Sequence, residues 1–192
     1  TFYAGTVSGD GSYEQLSGET IVDEYFHTGE ALFRGGVVSG NGILSGPIAQ
    51  IDIAATLSPG QSAGQLTFSG DLVMNGTLRA EIADSENFDS IVVGGTLTLG
   101  STSVLDISLL GGFDPDSAMS FDLVQSDHII GTFGSVVMPS SLSGRFHLVQ
   151  LVDYSGTTDV LRLVATVPEP SSALMLFSGL GLFLLRRRRM AQ

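Results

Sequence analysis

Gly64-Gln65-Leu66-Thr67-Phe68-Ser69-Gly70-Asp71-Leu72-Val73-Met74-Asn75-Gly76-Thr77-Leu78 carries two interleaved periods. Gly64, Gly70 and Gly76 are six residues apart, and Leu66, Leu72 and Leu78 follow at the same spacing. A strand of about four residues plus a tight corner gives such a period, and coils of this kind stack into a β-solenoid, each hydrogen-bonded to the next. Gly, Asn and Ser suit the corners, where φ is unusual. Hairpins with two-residue turns produce the same spacing, so the repeat alone leaves both arrangements open. The hexapeptide pattern of left-handed acyltransferase helices is not met, and that activity is not inferred.

Outward from this stretch the chain keeps a β texture. Apolar residues alternate with small or polar ones at Leu66/Phe68, Leu78/Ala80/Ile82, Leu97/Leu99, Leu105/Ile107/Leu109, Phe121/Leu123, Phe146/Leu148 and Leu161/Leu163. That is the pattern of strands with one buried face. Turn residues separate them at Ser58-Pro59-Gly60, Asn75-Gly76, Gly94-Gly95, Gly111-Gly112 and Gly131. No segment before Pro168 has a helical period, although Glu19 to Phe26 and Ala49 to Thr56 are ambiguous.

Charge divides the chain into an acidic body and a basic end. Half of the eight basic residues are Arg186, Arg187, Arg188 and Arg189; there is no lysine, and all 20 acidic residues precede Ser171. An acidic body repels phosphate backbones, which argues against nucleic-acid binding. With no cysteine, disulfides, thiolate chemistry and cysteine-ligated zinc are excluded together.

The tail reads Pro168-Glu169-Pro170-Ser171-Ser172, then an uncharged run from Ala173 to Leu185, then the four arginines. The prolines hold the local backbone extended. A helix can start after Pro170 with Ser171 or Ser172 as its N-cap. From Ser171 to Leu185 it would span only ~22 Å, against a hydrocarbon core of ~30 Å. A single short transmembrane helix therefore needs local bilayer thinning and arginine snorkelling. Arginines directly after an apolar run mark a stop at the cytoplasmic face, with the C-terminus inside and the body outside.

Pro-Glu-Pro, a short apolar helix and a terminal arginine cluster, in that order, resemble the PEP-CTERM sorting signal of bacterial exported proteins. The resemblance implies that Pro168, Glu169 and Pro170 are the element read by exosortase, a membrane transpeptidase-like protease. It also implies cleavage near that motif, with Arg186, Arg187, Arg188 and Arg189 as the topological stop. The first residues, Thr1-Phe2-Tyr3-Ala4-Gly5, lack the basic start and apolar stretch of an export signal, so the chain reads as a fragment or a processed form, and the repeating texture already under way at residue 1 favours a fragment.

A second resemblance spans about Gly36 to Val167. Leu57-Ser58-Pro59-Gly60-Gln61-Ser62-Ala63-Gly64-Gln65-Leu66, then Asp89-Ser90-Ile91-Val92-Val93-Gly94-Gly95, then Gly131-Thr132-Phe133 resemble successive elements of autotransporter-like passenger proteins. This implies a right-handed parallel β-helix ending in a β-rich cap, with adhesive or surface-layer roles.

No catalytic constellation stands out. His27, His128 and His147 have no metal-ligand spacing, and His128 reads as a strand-edge residue. Gly60-Gln61-Ser62-Ala63-Gly64 has the Gly-x-Ser-x-Gly spacing but no helical segment follows it, so it is not read as a nucleophile elbow, and there is no phosphate-binding glycine loop. The acidic run Glu81, Asp84, Glu86 and Asp89 reads as a solvated loop between strands. Asp114-Pro115-Asp116-Ser117 reads as an ordinary turn, lacking the ligand set of an EF-hand.

These readings give an all-β chain in three parts: a β-rich N-terminal stretch over 1–35, a right-handed β-solenoid with a C-terminal cap over 36–167, and a sorting and anchor segment over 168–192. The expected function is that of an exported cell-envelope or extracellular-matrix structural or adhesive protein, not an enzyme, with no cofactor or metal. Exosortase and the inner membrane are its expected partners, and extracellular polysaccharide is a candidate one. The alternative is a carbohydrate-active β-helix enzyme, a polysaccharide lyase or glycosidase, delivered by the same signal. The scarcity of aromatic sugar platforms, with no Trp and only Tyr3, Tyr13, Tyr25 and Tyr154, favours the structural reading.

Overall fold

In a computed structural model, which describes residues 1–166, the six-residue units become the sides of a three-sided coil. The first coil is β1 (Phe2–Ala4), β2 (Val7–Ser8) and β3 (Ser12–Gln15). The next uses β4 (Glu19–Val22), β5 (Tyr25–His27) and the first half of β6 (Glu30–Gly40). The second half of β6, β7 (Ile43–Ser45) and the first half of β8 (Ile48–Pro59) make the third. The second half of β8, β9 (Gln65–Phe68) and β10 (Asp71–Met74) make the fourth. Then β11 (Thr77–Ile82) with β12 (Ser90–Leu99), and β13 (Val104–Leu109) with β14 (Ser120–Ile130), complete two more, and β15 (Ser135–Val137) begins a seventh. All strand ladders between rungs of the stack are parallel. The all-β solenoid expected from the glycine and leucine spacing is therefore observed, and hairpins do not account for it. Residues 1–35 lie in the same stack.

Side chains on successive rungs sit directly above one another. One interior column is Thr20, Val38, Leu57, Leu78 and Leu105. Another is Phe26, Leu44, Phe68 and Val93. A third is Ala31, Ala49, Leu72 and Leu97. All of these are buried. Parallel stacking brings like beside like, so each column excludes water along its length and dispersion contacts run continuously through the core. In the lowest coils the interior is filled by aromatics. Tyr13 packs edge-on against Phe26 at 5.0 Å and lies 5.7 Å from Phe33, while its hydroxyl shares a hydrogen bond with Thr20.

The corners explain the glycines. A Cβ on Gly70 would sit 2.2 Å from the carbonyl oxygen of Gly46, and one on Gly76 would sit 2.2 Å from that of Ala55. The neighbouring rung's backbone turns at the same place, leaving no room for a side chain. Both ambiguous stretches are strands, falling in β4, β5 and β8.

Beyond β15 the topology changes. In β16 (Phe146–Leu151) and β17 (Asp159–Ala165) the chain doubles back. β17 lies antiparallel between β14 and β16. This is the expected β-rich cap, and it pairs the open edge of the last rung, which would otherwise be a template for another strand. Arg162 of β17 grips Asp122 of β14 through both carboxylate oxygens, and its guanidinium lies 4.5 Å over the Tyr154 ring. The charged form of Arg162 is held by that pair, chiefly through its hydrogen bonds to Asp122. Among the described residues no helix is long and apolar enough to cross a membrane. The expected short transmembrane helix lies outside the described residues.

Candidate functional site

Two places bear on function: the point where the tail leaves the body, and the outer surface of one solenoid face.

Chain exit is tightly defined. β17 is hydrogen-bonded on both sides, and its last residue, Ala165, has Phe146 of β16 as its partner. The Thr166 amide then donates to the Arg145 carbonyl. Arg145 is itself tied to Asp114 at 2.7 Å and to the Pro115 carbonyl at 2.6 Å. The described strands thus end before the Pro-Glu-Pro element begins. Pro168, Glu169 and Pro170, with Arg186, Arg187, Arg188 and Arg189, lie outside the described residues.

On the body, the insertions gather at one corner. In the first three coils the turn from the first side to the second is short, at Gly5–Thr6, Asp23–Glu24 and Asn41–Gly42. In the next three it lengthens to 60–64, 83–89 and 110–119. The first of these longer loops borders the outward side chains of the first face. Along that face runs an exterior column of Tyr3, Ile21, Ser39 and Ser58, in continuous register. Thr56 pairs with Thr77 on the next rung, which brings Arg79 into the same column. Tyr3, Ser39, Ser58 and Arg79, with Glu19 and Glu81 to either side and Gln61 on the bordering loop, line a groove of about 460 Å³.

Asp89 fastens the wall of that groove. Its carboxylate accepts the Gly64 amide at 2.8 Å and the Glu81 amide at 2.9 Å. One bond holds the 60–64 loop of the rung below; the other holds the end of β11. Only 1% of Asp89 is exposed, and burial pushes its carboxyl up to about 7 despite the two amide donors, with Glu81 adding repulsion. The expectation of a solvated loop is corrected at this residue. Asp84, Ser85, Glu86 and Asn87 lie towards solvent as expected, with the Asp84 carboxyl held low by the Glu86 and Asn87 amides and the Asn87 side chain. Asp89, by contrast, points inward to repair a gap in the rung-to-rung ladder. The aspartate opening the second motif was its one sequence signal.

The other candidates do not converge. His27 faces Asp10 at 3.5 Å on the second rung. His128 is exposed on β14, and His147 lies in the cap near Thr166. Asp114 is taken by Arg145, and Asp116 accepts the Ala118 amide, so their carboxylates serve the turn that contains them. Among the described residues no three His, Asp or Glu side chains are grouped as metal ligands.

Compared with known protein families, the chain matches a model over residues 166–189, described as the PEP-CTERM protein-sorting motif. The tail is a PEP-CTERM signal. The match starts at Thr166, the last residue the body holds by a hydrogen bond among those described. PEP-CTERM signals are processed by exosortase, a membrane protein, and mark a chain for export along that route. No curated protein matches the chain.

Proposed function

We propose that this is a structural or adhesive protein of the cell envelope or extracellular matrix, released to its destination when exosortase cuts near Pro168-Glu169-Pro170. The observation that carries this reading is a PEP-CTERM signal placed directly after a capped β-solenoid. The apolar run from Ala173 to Leu185 holds the chain in the inner membrane. Arg186 to Arg189 keep the C-terminus cytoplasmic, so the Pro-Glu-Pro element stands near the outer face. Glu169 is the only charge between Arg162 and Arg186, which makes it the natural handle for recognition. Cleavage there leaves the body whole, because every described strand ends by Ala165.

A non-enzymatic role is supported by the spacing of the carboxylates in the groove. Glu19 and the β11 strand carrying Glu81 are three rungs apart, a rise of ~14 Å at ~4.8 Å per rung. Glycosidase carboxylate pairs lie ~5–9.5 Å apart.

The test is intact-mass measurement of the surface-located protein in an exosortase-bearing host. The expected mass lacks everything beyond about Pro170, and Glu169→Ala accumulates the uncut form in the inner membrane. Recovery of the mature surface protein with Arg186 to Arg189 still attached would leave a simple tail anchor instead.

A further inference from the structure

We infer that the groove along the first solenoid face binds an extended, uncharged polysaccharide chain. Its clearest mark is Ser39. It lies in the exterior column between Ile21 and Ser58, yet only 5% of it is exposed. Its hydroxyl is buried with no hydrogen-bond partner among the described residues, a status no other side chain described shares. A buried hydroxyl left unpaired is costly, and this one lies in the floor of a groove.

The rest of the groove supplies a matching chemistry. Arg34, Arg145 and Arg162 are each committed to carboxylates; Arg79, which is exposed, has no ion pair among the described residues. Its planar fork of donors suits adjacent hydroxyls. Glu19 and Glu81 offer acceptors on either flank, and Gln61 offers both kinds of group. Tyr3, 68% exposed at one end of the column, presents a flat ring of the kind on which the apolar face of a sugar ring rests. From Tyr3 to Arg79 the column climbs four rungs, ~19 Å, so the occupant is a chain running along the solenoid axis.

Two alternatives fit less well. A peptide added to a sheet pairs through main-chain groups at an edge, but the backbone beneath this groove is already bonded from rung to rung. An anionic polymer would meet two carboxylates and a body whose 19 acidic residues up to Thr166 face four arginines. A neutral polyhydroxylated chain needs neither a free strand edge nor a net positive field. The inference names a partner for the adhesive body proposed above and rests on that reading for its setting. Its measurement is made on the uncut chain and needs no exosortase, so failure of binding and failure of processing are separately visible.

The experiment is calorimetric titration of the full chain, in a detergent without a sugar headgroup, with cellohexaose, laminarihexaose and maltohexaose. A hexameric alginate fragment and a polar unstructured peptide of similar length serve as comparisons. At least one neutral hexaose is expected to bind saturably. Arg79→Ala, on an exposed site that cannot disturb the core, is expected to weaken that binding tenfold or more. Ser39→Ala should weaken it several-fold while leaving the melting temperature unchanged or higher, since the lost hydroxyl had no partner to lose. A Ser39 that served only the fold would do the opposite, lowering the melting temperature and sparing the affinity. Absence of saturable binding to all three neutral hexaoses up to millimolar concentration, preference for alginate or the peptide, or affinity indifferent to Arg79→Ala would each overturn the inference.

Discussion

Replacing Asp89 with asparagine separates the two terms that compete at the groove wall. In the folded body the carboxyl titrates near 7 rather than at its ordinary 3.8. Above about pH 7 it is ionised in both folded and unfolded chains, and the folded state bears the full cost of burying that charge. As the pH falls from 7 towards 4, the folded state takes up a proton that the unfolded state does not, so stability rises across that window. Below the ordinary value both states are protonated and the gain is constant. At about 1.4 kcal/mol per pH unit, the whole gain is bounded at about 4 kcal/mol. The asparagine side chain of the Asp89→Asn variant cannot titrate. It offers a single acceptor oxygen to two amide donors, leaving one of Gly64 and Glu81 unpaired. That costs about 1–3 kcal/mol when compared with the protonated aspartate at pH 5, and much less when compared with the buried anion at pH 8. Urea unfolding of the wild-type and Asp89→Asn chains, followed by far-ultraviolet circular dichroism at pH 5 and pH 8, measures the difference. Other carboxylates also respond to pH, but they respond alike in both chains and cancel. Identical pH dependence in the two proteins would refute the claim that burial governs this group.

Two further substitutions probe the stack and its cap. Gly70→Ala places a methyl 2.2 Å from the Gly46 carbonyl oxygen and 2.5 Å from that of Pro47, and is expected to lower stability by about 1–3 kcal/mol, seen as a lower urea midpoint. Asp159 accepts the Ile129 and Asp153 amides, and these bonds hold its carboxyl below the ordinary range. Its contribution is therefore present above about pH 4 and is lost as the pH falls through that lowered value; Asp159→Asn should raise hydrogen exchange at the Ile129 amide at neutral pH, relative to the wild type, to the reduced protection that the wild type shows only in acid.

The legible parts of this fold were those that repeat. Leu66, Leu72 and Leu78 each point inward and are fully or almost fully buried, and the glycines between them sit at corners, because a coil with three similar sides writes its geometry into the sequence at a fixed spacing. What escaped was set by contacts between rungs. Asp89 looks like its neighbours Asp84 and Glu86 in the sequence, and only the Gly64 amide on the rung below separates its role from theirs. Ser39 sits in a short run, Val38-Ser39-Gly40, that carries no local sign of a groove. Its neighbour in space, Ser58, is nineteen residues away in the chain. The 60–64 loop shows in the sequence only as irregular spacing between strands, so the wall it forms becomes visible only once the rungs are stacked.

The position of β17 between β14 and β16 also determines how the body answers a pull. Under the membrane anchorage proposed above, traction on the body enters through β17, whose ladder bonds to both neighbours lie across the strand. Bonds loaded in this way share the strain and must give together, whereas a strand peeled from a sheet edge gives one bond at a time. Arg162, clasping Asp122 midway along the strand, adds a charged rivet at the same seam. An anchorage of that kind is sheared rather than unzipped, so a body tethered in this way and drawn by flow would transmit the load into the whole last rung.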